Sequence, residues 1–448
     1  RWNSRVRGDL MLKTLQNAFK VKDVRHRILY VFMMLVVVRI GSQLPVPGVD
    51  SSYFQNWFNS QGGSAFNFLD AFTGGSFSQM SIFALSITPY ITSSIIIQLL
   101  TIAIPKLEEM QRDGEDGRKK LNAITRYLTV GLALFQSVAM AVGFGNQGLI
   151  PDNNVWKSTV VVAALTAGSA FLMWVGEQIN DKGVGNGISI VLLINIVSRI
   201  PSDMGTLYES FVSGKTYAKA GLAVLIIAAV IVGVVVLVVI LNGAERKIPV
   251  QYSKKVQGRK MMGGQSSHIP LKVNTAGVIP VIFASSLMST PSVIASFVGA
   301  GNGTGVGSQI LAGLNSNNWF SPSQPIYSLG LVLYIVLVIF FAYFYTSITF
   351  NPLEVADNLK KQGGFVPGIR PGKPTVDYLS NLLNYIIFIG AAGLTIVAVI
   401  PFFFNGVFGA NVSFGGTSII IIVGVILETL KQIESMMVVR NYKGFLDD

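Results

Sequence analysis

Two isoleucines four residues apart, Ile87 and Ile91, are the side chains whose type and spacing bear most directly on chemistry. Positions i and i+4 share one face of a helix. Aliphatic side chains cannot act as acids, bases or nucleophiles, but a ring of them can close a water-filled passage by dewetting. Packing in a core or against lipid also explains such a pair, because apolar residues are the default in membrane spans. Periodicity alone leaves both interpretations open.

Similar aliphatic residues lie in three later apolar stretches. They are Ile279 and Ile282 beside Pro280, Val191 or Leu192, and Ile421. Each lies near a proline or in the middle of its stretch, so each is a candidate for the same passage or for ordinary packing.

The stretch Ser81–Pro105 must position the first pair, and it is unusual for a membrane span. It is long enough to cross a bilayer, since ~20 apolar residues suffice. Yet it has Pro89 near its start and several polar residues, namely Thr88, Thr92, Ser93, Ser94 and Gln98. A broken helix inside a membrane needs protein or a water-filled cavity around it. We therefore predict that this stretch faces an interior.

Residues that could support catalysis or ion coupling are few. The chain has no cysteine, and its two histidines, His26 and His268, lack the spacing of metal ligands. The glycine-rich runs 183–189 and 299–307 lack the strand–helix context of a dinucleotide fingerprint. The spans are almost empty of ionisable residues, apart from Arg39, Glu177 and Glu428 near span ends. We therefore expect no enzyme, no metal and no cofactor, and the pattern argues against an ion-coupled carrier.

Composition indicates a polytopic helical membrane protein. The chain has 448 residues, of which 51% are hydrophobic and only 12% charged, whereas soluble proteins average about 25% charged residues. Ten segments are predicted to span the membrane: Ile28–Leu44, Ile82–Ile104, Leu121–Val142, Ser158–Gln178, Ile188–Ile200, Gly221–Leu241, Ala276–Phe297, Leu329–Phe350, Leu379–Ile400 and Thr417–Val439. The fifth segment is short.

Lysine and arginine are distributed very unevenly between the connections. They are concentrated before the first span, in 105–120, and in the loops 243–275 and 351–378, and they are absent from 45–81, 143–156, 298–328 and 401–416. Cytoplasmic loops carry the excess of lysine and arginine. Both termini are therefore predicted to be cytoplasmic, which agrees with an even number of spans.

Three connections between spans contain residues that favour ordered structure. The basic loops 243–275 and 351–378 contain β-type residues and Gly-Gly or Pro-Gly turns, so we expect ordered protrusions that dock an acidic or nucleic-acid-rich cytosolic partner. Alternatively, they only set topology and attract anionic lipid. The segment Ala65–Met80 is too short and polar to span. It is predicted to be either an extracellular amphipathic turn or a re-entrant piece in a protein-lined cavity.

Four stretches of the chain resemble signatures of the SecY family of protein-conducting channels. They are SIFALSITPYITSSIIIQLL (Ser81–Leu100), WVGEQINDKGVGNGIS (Trp174–Ser189), NTAGVIPVIFASS (Asn274–Ser286) and GGFVPGIRPG (Gly363–Gly372). The resemblance covers Met11–Tyr442 in order. One departure is Ser86, where the family usually has glycine immediately before the first isoleucine.

The resemblance implies an all-α fold of ten transmembrane helices, in two inverted pseudo-symmetric five-helix halves around an hourglass pore. The implied divisions are residues 1–10 as an expression remnant or upstream extension, 11–200 as the N-terminal half, 66–78 within it as a re-entrant plug, 201–220 as an external hinge connection, 221–442 as the C-terminal half with the two basic loops, and 443–448 as a tail.

The resemblance also assigns roles to individual residues. The implied pore ring is Ile87, Ile91, Leu192, Ile279, Ile282 and Ile421. The implied lateral gate is Thr92, Gln98, Gln136 and Asn274. The implied plug residues are Phe66, Phe72, Gly74, Gly75 and Phe77. The implied docking residues are Arg246, Lys254, Lys255, Arg259, Lys360, Lys361 and Arg370.

The function that the resemblance implies is a passive channel for unfolded secretory polypeptides, which also releases transmembrane segments sideways into the bacterial cytoplasmic membrane. The implied partners are the small membrane subunits SecE and SecG, the SecA motor ATPase, the ribosome, and signal sequences on nascent or unfolded chains. The alternatives are a small-solute secondary transporter with inverted repeats and a structural membrane scaffold. A transporter predicts mid-membrane charge and compact cytoplasmic loops, and this chain has neither. A structural scaffold does not need a proline-broken helix beside a re-entrant segment.

Overall fold

The computed structural model describes residues 19–58, 70, 73–146, 148, 155–213, 217–252, 255–257, 260–262, 266–298, 306–314, 319, 327–408 and 416–443. Its helices are α1 Lys22–Gly41, α2 Ser51–Trp57, α3 Thr88–Ala103, α4 Pro105–Arg112, α5 Glu115–Asn146, α6 Val155–Lys182, α7 Gly187–Phe211, α8 Tyr217–Gly243, α9 Ile279–Val298, α10 Val306–Leu314, α11 Ser328–Thr349, α12 Pro352–Lys361, α13 Lys373–Phe408 and α14 Gly416–Lys443. The strands are β1 Glu245–Tyr252, β2 Lys255–Gln257, β3 Lys260–Met262, β4 Ser266–Lys272 and β5 Gly364–Phe365.

Each of the ten predicted spans coincides with a helix, which confirms a polytopic helical membrane fold. Among the described residues, six helical stretches are long and apolar enough to cross a membrane, in α5, α6, α7, α8, α11 and α13. The bent pair α3–α4 makes a seventh if it is taken as one span. The count of ten spans stays a prediction.

The second predicted span begins later than its hydropathy suggested. Residues from Ile82 to Ile87 form turns, and α3 begins at Thr88 with Pro89 in its first turn. The expectation that Pro89 breaks the helix is therefore wrong. The first N–H groups of a helix have no partner within the helix, so a proline there removes no hydrogen bond. The irregular backbone lies before the proline.

The end of α3 is a sharp corner. Ile104 has extended backbone angles, and α4 starts at Pro105 after a change of direction of 108°. A proline disfavours the helical conformation of the residue before it. Because Pro105 keeps Ile104 out of the helical conformation, the apolar helix α3 ends at Ala103, and the charged helix α4 follows.

The fifth predicted span is longer in the structure than in the sequence analysis. Helix α7 continues through Pro201 and ends at Phe211. The predicted segment Ile188–Ile200 stops one residue before Pro201, a residue type that usually ends a helix but here lies inside one. Much of the connection predicted at 201–220 is therefore helical.

One compact unit comprises Arg1–Thr206, Ser292–Ser308 and Val425–Asp448. Its core includes Phe54 of α2, whose ring lies 5.0 Å from that of Phe144 and 6.0 Å from that of Phe77. Asp50 caps α2 by accepting hydrogen bonds from Ser52. The Ser52 hydroxyl and the backbone N–H groups hold the pKa of the Asp50 carboxyl below its usual value. The cap thus fixes the helix that presents Phe54.

The other compact unit comprises Leu207–Pro291 and Gln309–Gly424. Its apolar core contains the buried aromatic residues Trp319 and Tyr334, which pack with Phe402. The Trp319 indole donates a hydrogen bond to the carbonyl of Gly313. This polar anchor satisfies a group that would otherwise be costly to bury.

The two basic loops contribute to one sheet within this second unit. Strand β1 pairs antiparallel with β4 from Glu245↔Lys272 to Gln251↔Ser266, and its end pairs with β5 from the later loop. The strand order is β4–β1–β5. A small core of Ile248, Leu271, Ala356, Val366, Leu379 and Ile386 joins this sheet to α12 and α13. Where they are described, both loops contain ordered strands, as predicted, and these strands form one sheet.

Candidate functional site

The turn before α3 is centred on Ser86. Its φ is +51°, a region that costs a side-chain-bearing residue about 1–2 kcal/mol. The residue is buried, and its hydroxyl accepts a hydrogen bond of 3.1 Å from the Asn195 side-chain amide. Its carbonyl accepts another of 3.1 Å from the Ser169 hydroxyl. Side chains of α6 and α7 therefore hold a backbone conformation for which glycine is the usual residue.

Three predicted ring residues belong to the first unit. Ile87 is fully buried and directly precedes α3, and its Cδ1 atom would lie 3.6 Å from a Cβ built on Gly176 of α6. Ile91 is half-buried one turn later, and Leu192 is buried on α7. Ile87 therefore packs beside Gly176 of α6.

The other three predicted ring residues belong to the second unit. Ile279 is half-buried at the start of α9, Ile282 is buried on the same helix, and Ile421 is buried on α14. The assembly of all six side chains into one ring stays a prediction.

Two of the predicted gate residues, Thr92 and Asn274, make hydrogen bonds within their own units. The Thr92 hydroxyl donates to the carbonyl of Thr88 in the same helix, at 3.1 Å. The Asn274 amide donates to the Asn242 side-chain oxygen at the end of α8, at 2.7 Å. Gln98 and Gln136 are half-buried on α3 and α5. Sequence reasoning missed Asn242, although an amide at the end of an otherwise apolar helix is a visible signal.

The predicted plug is tied to α7 where it is described. Gly74 has a φ of +68°, and a Cβ there would lie 2.7 Å from the carbonyl oxygen of Asn195. The Ser198 hydroxyl donates to the Gly74 carbonyl at 3.4 Å. Phe77 is buried in the aromatic core, and Gly75 has a φ of +84° with open space around it. Phe66 and Phe72 lie outside the described residues.

Two ion pairs form between charged residues that sequence reasoning did not pair. Arg126 of α5 pairs with Glu177 of α6 at 2.5 Å. Arg199 of α7 pairs with Asp70 of the predicted plug. Arg199 lies inside the predicted fifth span, so the spans are less empty of charge than the sequence analysis stated. The partners are 51 and 129 residues apart in sequence, which no local pattern reveals.

The predicted docking residues flank the three-stranded sheet. Arg246 is exposed on β1, and Lys360 and Lys361 are exposed at the end of α12. Arg370 is exposed in a turn between two glycines with positive φ, Gly368 at +83° and Gly372 at +101°. Lys255 lies on β2, and Lys254 and Arg259 fall outside the described residues.

Comparisons with known proteins point to one family. The SecY family model matches residues 81–430. The protein translocase subunit SecY of Bacillus subtilis is 44% identical over 448 residues, which cover 97% of this chain and the whole of the relative. The fold is similar to a SecY structure whose plug domain stabilises the closed channel, with a TM-score of 0.62 and 17% identity over 92% of each chain. It is also similar to Sec61 in the canine ribosome–channel complex, with a TM-score of 0.59 and 16% identity over 92% of each chain.

Substitutions at Ser86 test whether its backbone conformation is strained. Ser86→Ala and Ser86→Gly both remove the hydroxyl that accepts from Asn195, but only glycine relieves the positive φ, by about 1–2 kcal/mol. We expect Ser86→Gly to unfold at the higher temperature of the two, as measured by thermal unfolding in detergent.

Ser94 is the matched control, because it lies inside α3. Glycine is less stable than alanine in a helix interior by about 1 kcal/mol, so Ser94→Ala should be the more stable variant there. If the alanine variant unfolds at the higher temperature at both positions, Ser86 is not strained.

Proposed function

The chain belongs to the SecY family and is a channel of the protein translocase, and from this premise we propose how its residues carry out translocation. The observation that carries the assignment is the 44% identity with a translocase subunit over 97% of the chain. Unfolded secretory polypeptides cross the membrane through the channel, and apolar segments leave it sideways into lipid.

The pore ring consists of the six aliphatic side chains named above, three from each unit. Aliphatic groups bind no substrate side chain strongly, and they exclude water when no polypeptide is present. The positions of Ile87 and Ile91 at the start of α3 support this assignment, because the buried turn at Ser86 fixes where that helix begins. The ring then passes any sequence and still prevents ion leakage.

The lateral gate uses Thr92, Gln98, Gln136 and Asn274. An interhelical hydrogen bond in a membrane contributes on the order of 0.6–2 kcal/mol. A few exchangeable bonds of this size hold a gate closed yet let an apolar signal segment open it. The hydroxyl of Thr92 and the amide of Asn274 have partners inside their own units, so either group can exchange partners without being left unpaired.

The plug is the re-entrant segment 66–78. Its support is the packing of Gly74 and Phe77 against α7 and the aromatic core. Irregular backbone of this kind is tolerated at membrane depth only where protein surrounds it. The segment seals the external side of the channel until a substrate displaces it.

The docking surface is the basic sheet region with Arg246, Lys254, Lys255, Arg259, Lys360, Lys361 and Arg370. It receives the SecA motor or the ribosome, and the channel works with SecE and SecG. The energy for transport comes from these partners or the membrane potential, since the chain is a channel subunit. Arginine suits this role because its fork binds carboxylates and phosphates bidentately, and the Gly368–Gly372 turn presents Arg370 to solvent.

The membrane is the bacterial cytoplasmic membrane, with both chain termini in the cytoplasm. Support comes from the bacterial relatives and from the lysine and arginine content of the loops. The family match gives no support to a small-solute secondary transporter.

Replacing Ile91 or Ile421 by asparagine should weaken the closed state. A polar amide in the ring favours water there, so precursors with defective signal sequences should be exported about tenfold more, equivalent to ~1.4 kcal/mol. Export assays in cells would measure this. Ile91→Leu keeps an aliphatic group and should retain normal stringency; equal export by Ile91→Asn and Ile91→Leu would remove these residues from the ring.

A cysteine at Thr92 should cross-link to a bound signal peptide, as should one of the cysteines introduced singly along Ile279–Met288. The wild-type chain has no cysteine, so each variant carries a single thiol. Ser93→Cys is the matched control, because Ser93 is fully buried on α3. Cross-linking by Ser93→Cys alone would contradict the gate assignment.

Arg370→Glu should abolish motor-driven export while leaving thermal stability unchanged, because the side chain is exposed. Arg370→Lys should retain partial activity, since it keeps the charge but loses the fork. Lys373→Glu, an equal charge change three residues away, is the control. A similar loss in both glutamate variants would indicate a general charge effect and not docking through Arg370.

A further inference from the structure

The re-entrant segment carries one charged residue, Asp70, and its side chain is buried. Only 1% of it is exposed. One carboxylate oxygen accepts a 2.8 Å hydrogen bond from the backbone N–H of Ser78. The other oxygen pairs with the guanidinium of Arg199 on α7. Asp70 therefore links two parts of its own segment through the hydrogen bond with Ser78, and it attaches that segment to α7 through Arg199.

Contacts from one face of α7 reinforce this attachment. The Ser198 hydroxyl donates to the carbonyl of Gly74, and the Asn195 backbone lies so close that Gly74 can carry no side chain. These contacts are apolar or single neutral hydrogen bonds. The ion pair is the one described contact in this group that places opposite charges in a largely buried position, with Arg199 22% exposed. Separating it without replacement would leave a desolvated charge.

A second carboxylate lies within reach of Arg199. Asp203 is buried one turn further along α7 and acts on Arg199 electrostatically. Residues four apart on a helix are neighbours. When Asp70 moves away with its segment, Arg199 still has an anionic neighbour. The free energies of the closed and displaced positions of the segment then differ only by the difference in strength between the two ion pairs. This difference is much smaller than the free-energy cost of leaving a buried charge unpaired.

We propose that Asp70, Arg199 and Asp203 form a charge latch, in which Arg199 holds the re-entrant segment through Asp70 in the closed channel and turns to Asp203 when the segment leaves. These are positioning residues that set how readily a signal sequence opens the channel. The proposal rests on the plug role proposed above.

Displacement of the segment can be read from a single thiol. Ser76 is buried in the segment, cysteine has nearly its size, and the wild-type chain has no other thiol. In membrane vesicles that contain the full chain with its native partners, we would measure labelling of Ser76→Cys by a water-soluble maleimide, ion leakage, and export of a signal-defective precursor.

In the Ser76→Cys background, Asp70→Asn and Arg199→Gln should each raise labelling and signal-defective export about tenfold. The double variant Asp70→Asn/Arg199→Gln should have the same effect as either single variant, because the pair acts as a unit. It also leaves neither of the two paired charges in place, so it remains informative if a single variant fails to fold. The exchange Asp70→Arg/Arg199→Asp should restore part of the closed state. Wild-type labelling in the double variant would overturn the latch.

Asp203→Asn separates the latch from a merely structural role. The latch predicts that Asp203→Asn has the opposite effect to Asp70→Asn, because without Asp203 the Arg199 side chain pairs more strongly with Asp70. Labelling in the presence of substrate and export of the signal-defective precursor should both fall below the wild-type level. A rise like that of Asp70→Asn would mean that the three residues only stabilise the fold, and the proposal would be wrong.

Deletion of residues 66–78 distinguishes failure of the latch from failure of the plug. If the deletion raises ion leakage and Asp70→Asn/Arg199→Gln does not, the segment seals the channel but the ion pair does not hold it. If the deletion leaves leakage unchanged, the plug role itself fails and the latch falls with it. Increased ion leakage in both the deletion variant and Asp70→Asn/Arg199→Gln supports the latch.

Discussion

Irregular backbone at membrane depth must find all its hydrogen bonds within the protein, and the structure of the first unit follows from that constraint. From Gly74 to Ile87 the chain is neither helix nor strand. Its carbonyls accept from Ser169 and Ser198, the Ser86 hydroxyl accepts from Asn195, and Asp70, just before the stretch, pairs with Arg199. Three of these four partners come from one helix, α7. That helix therefore acts as the template on which the non-helical stretch is folded.

The template explains the position of α3. A buried turn at Ser86 with positive φ cannot slide along the chain, because the Asn195 amide and the Ser169 hydroxyl bind it at two atoms. The helix then starts at Thr88, with Ile87 packed beside Gly176. Polar contacts at the turn before the helix thus fix where Ile87 and Ile91 lie. Serine in place of the usual glycine adds a strained residue, and it also adds the hydroxyl that Asn195 binds.

The sequence predicted the features that local patterns encode. Each of the ten apolar runs coincides with a helix, and turn residues with β-type residues located the strands of the loops. Contacts between distant residues left no such pattern: Ser86 binds a side chain 109 residues away, and Tyr252 of one loop pairs with Gly364 of the other. Pro89 was interpreted as a helix break, because sequence alone does not show whether a proline lies in the first turn of a helix or further inside it.

A channel for many polypeptides faces two opposed requirements, and the residues divide between them. The surface that meets substrate must bind nothing strongly, which favours aliphatic side chains such as those of the proposed ring residues Ile87 and Ile91. Control over channel opening needs hydrogen bonds or ion pairs between specific residues, and aliphatic side chains cannot form them. In the first unit the definite interactions involve other residues, since Ser86 pairs with Asn195 and Asp70 with Arg199. Because these groups need not touch the substrate, their strength can change without altering which sequences pass, so opening and passage can be adjusted separately.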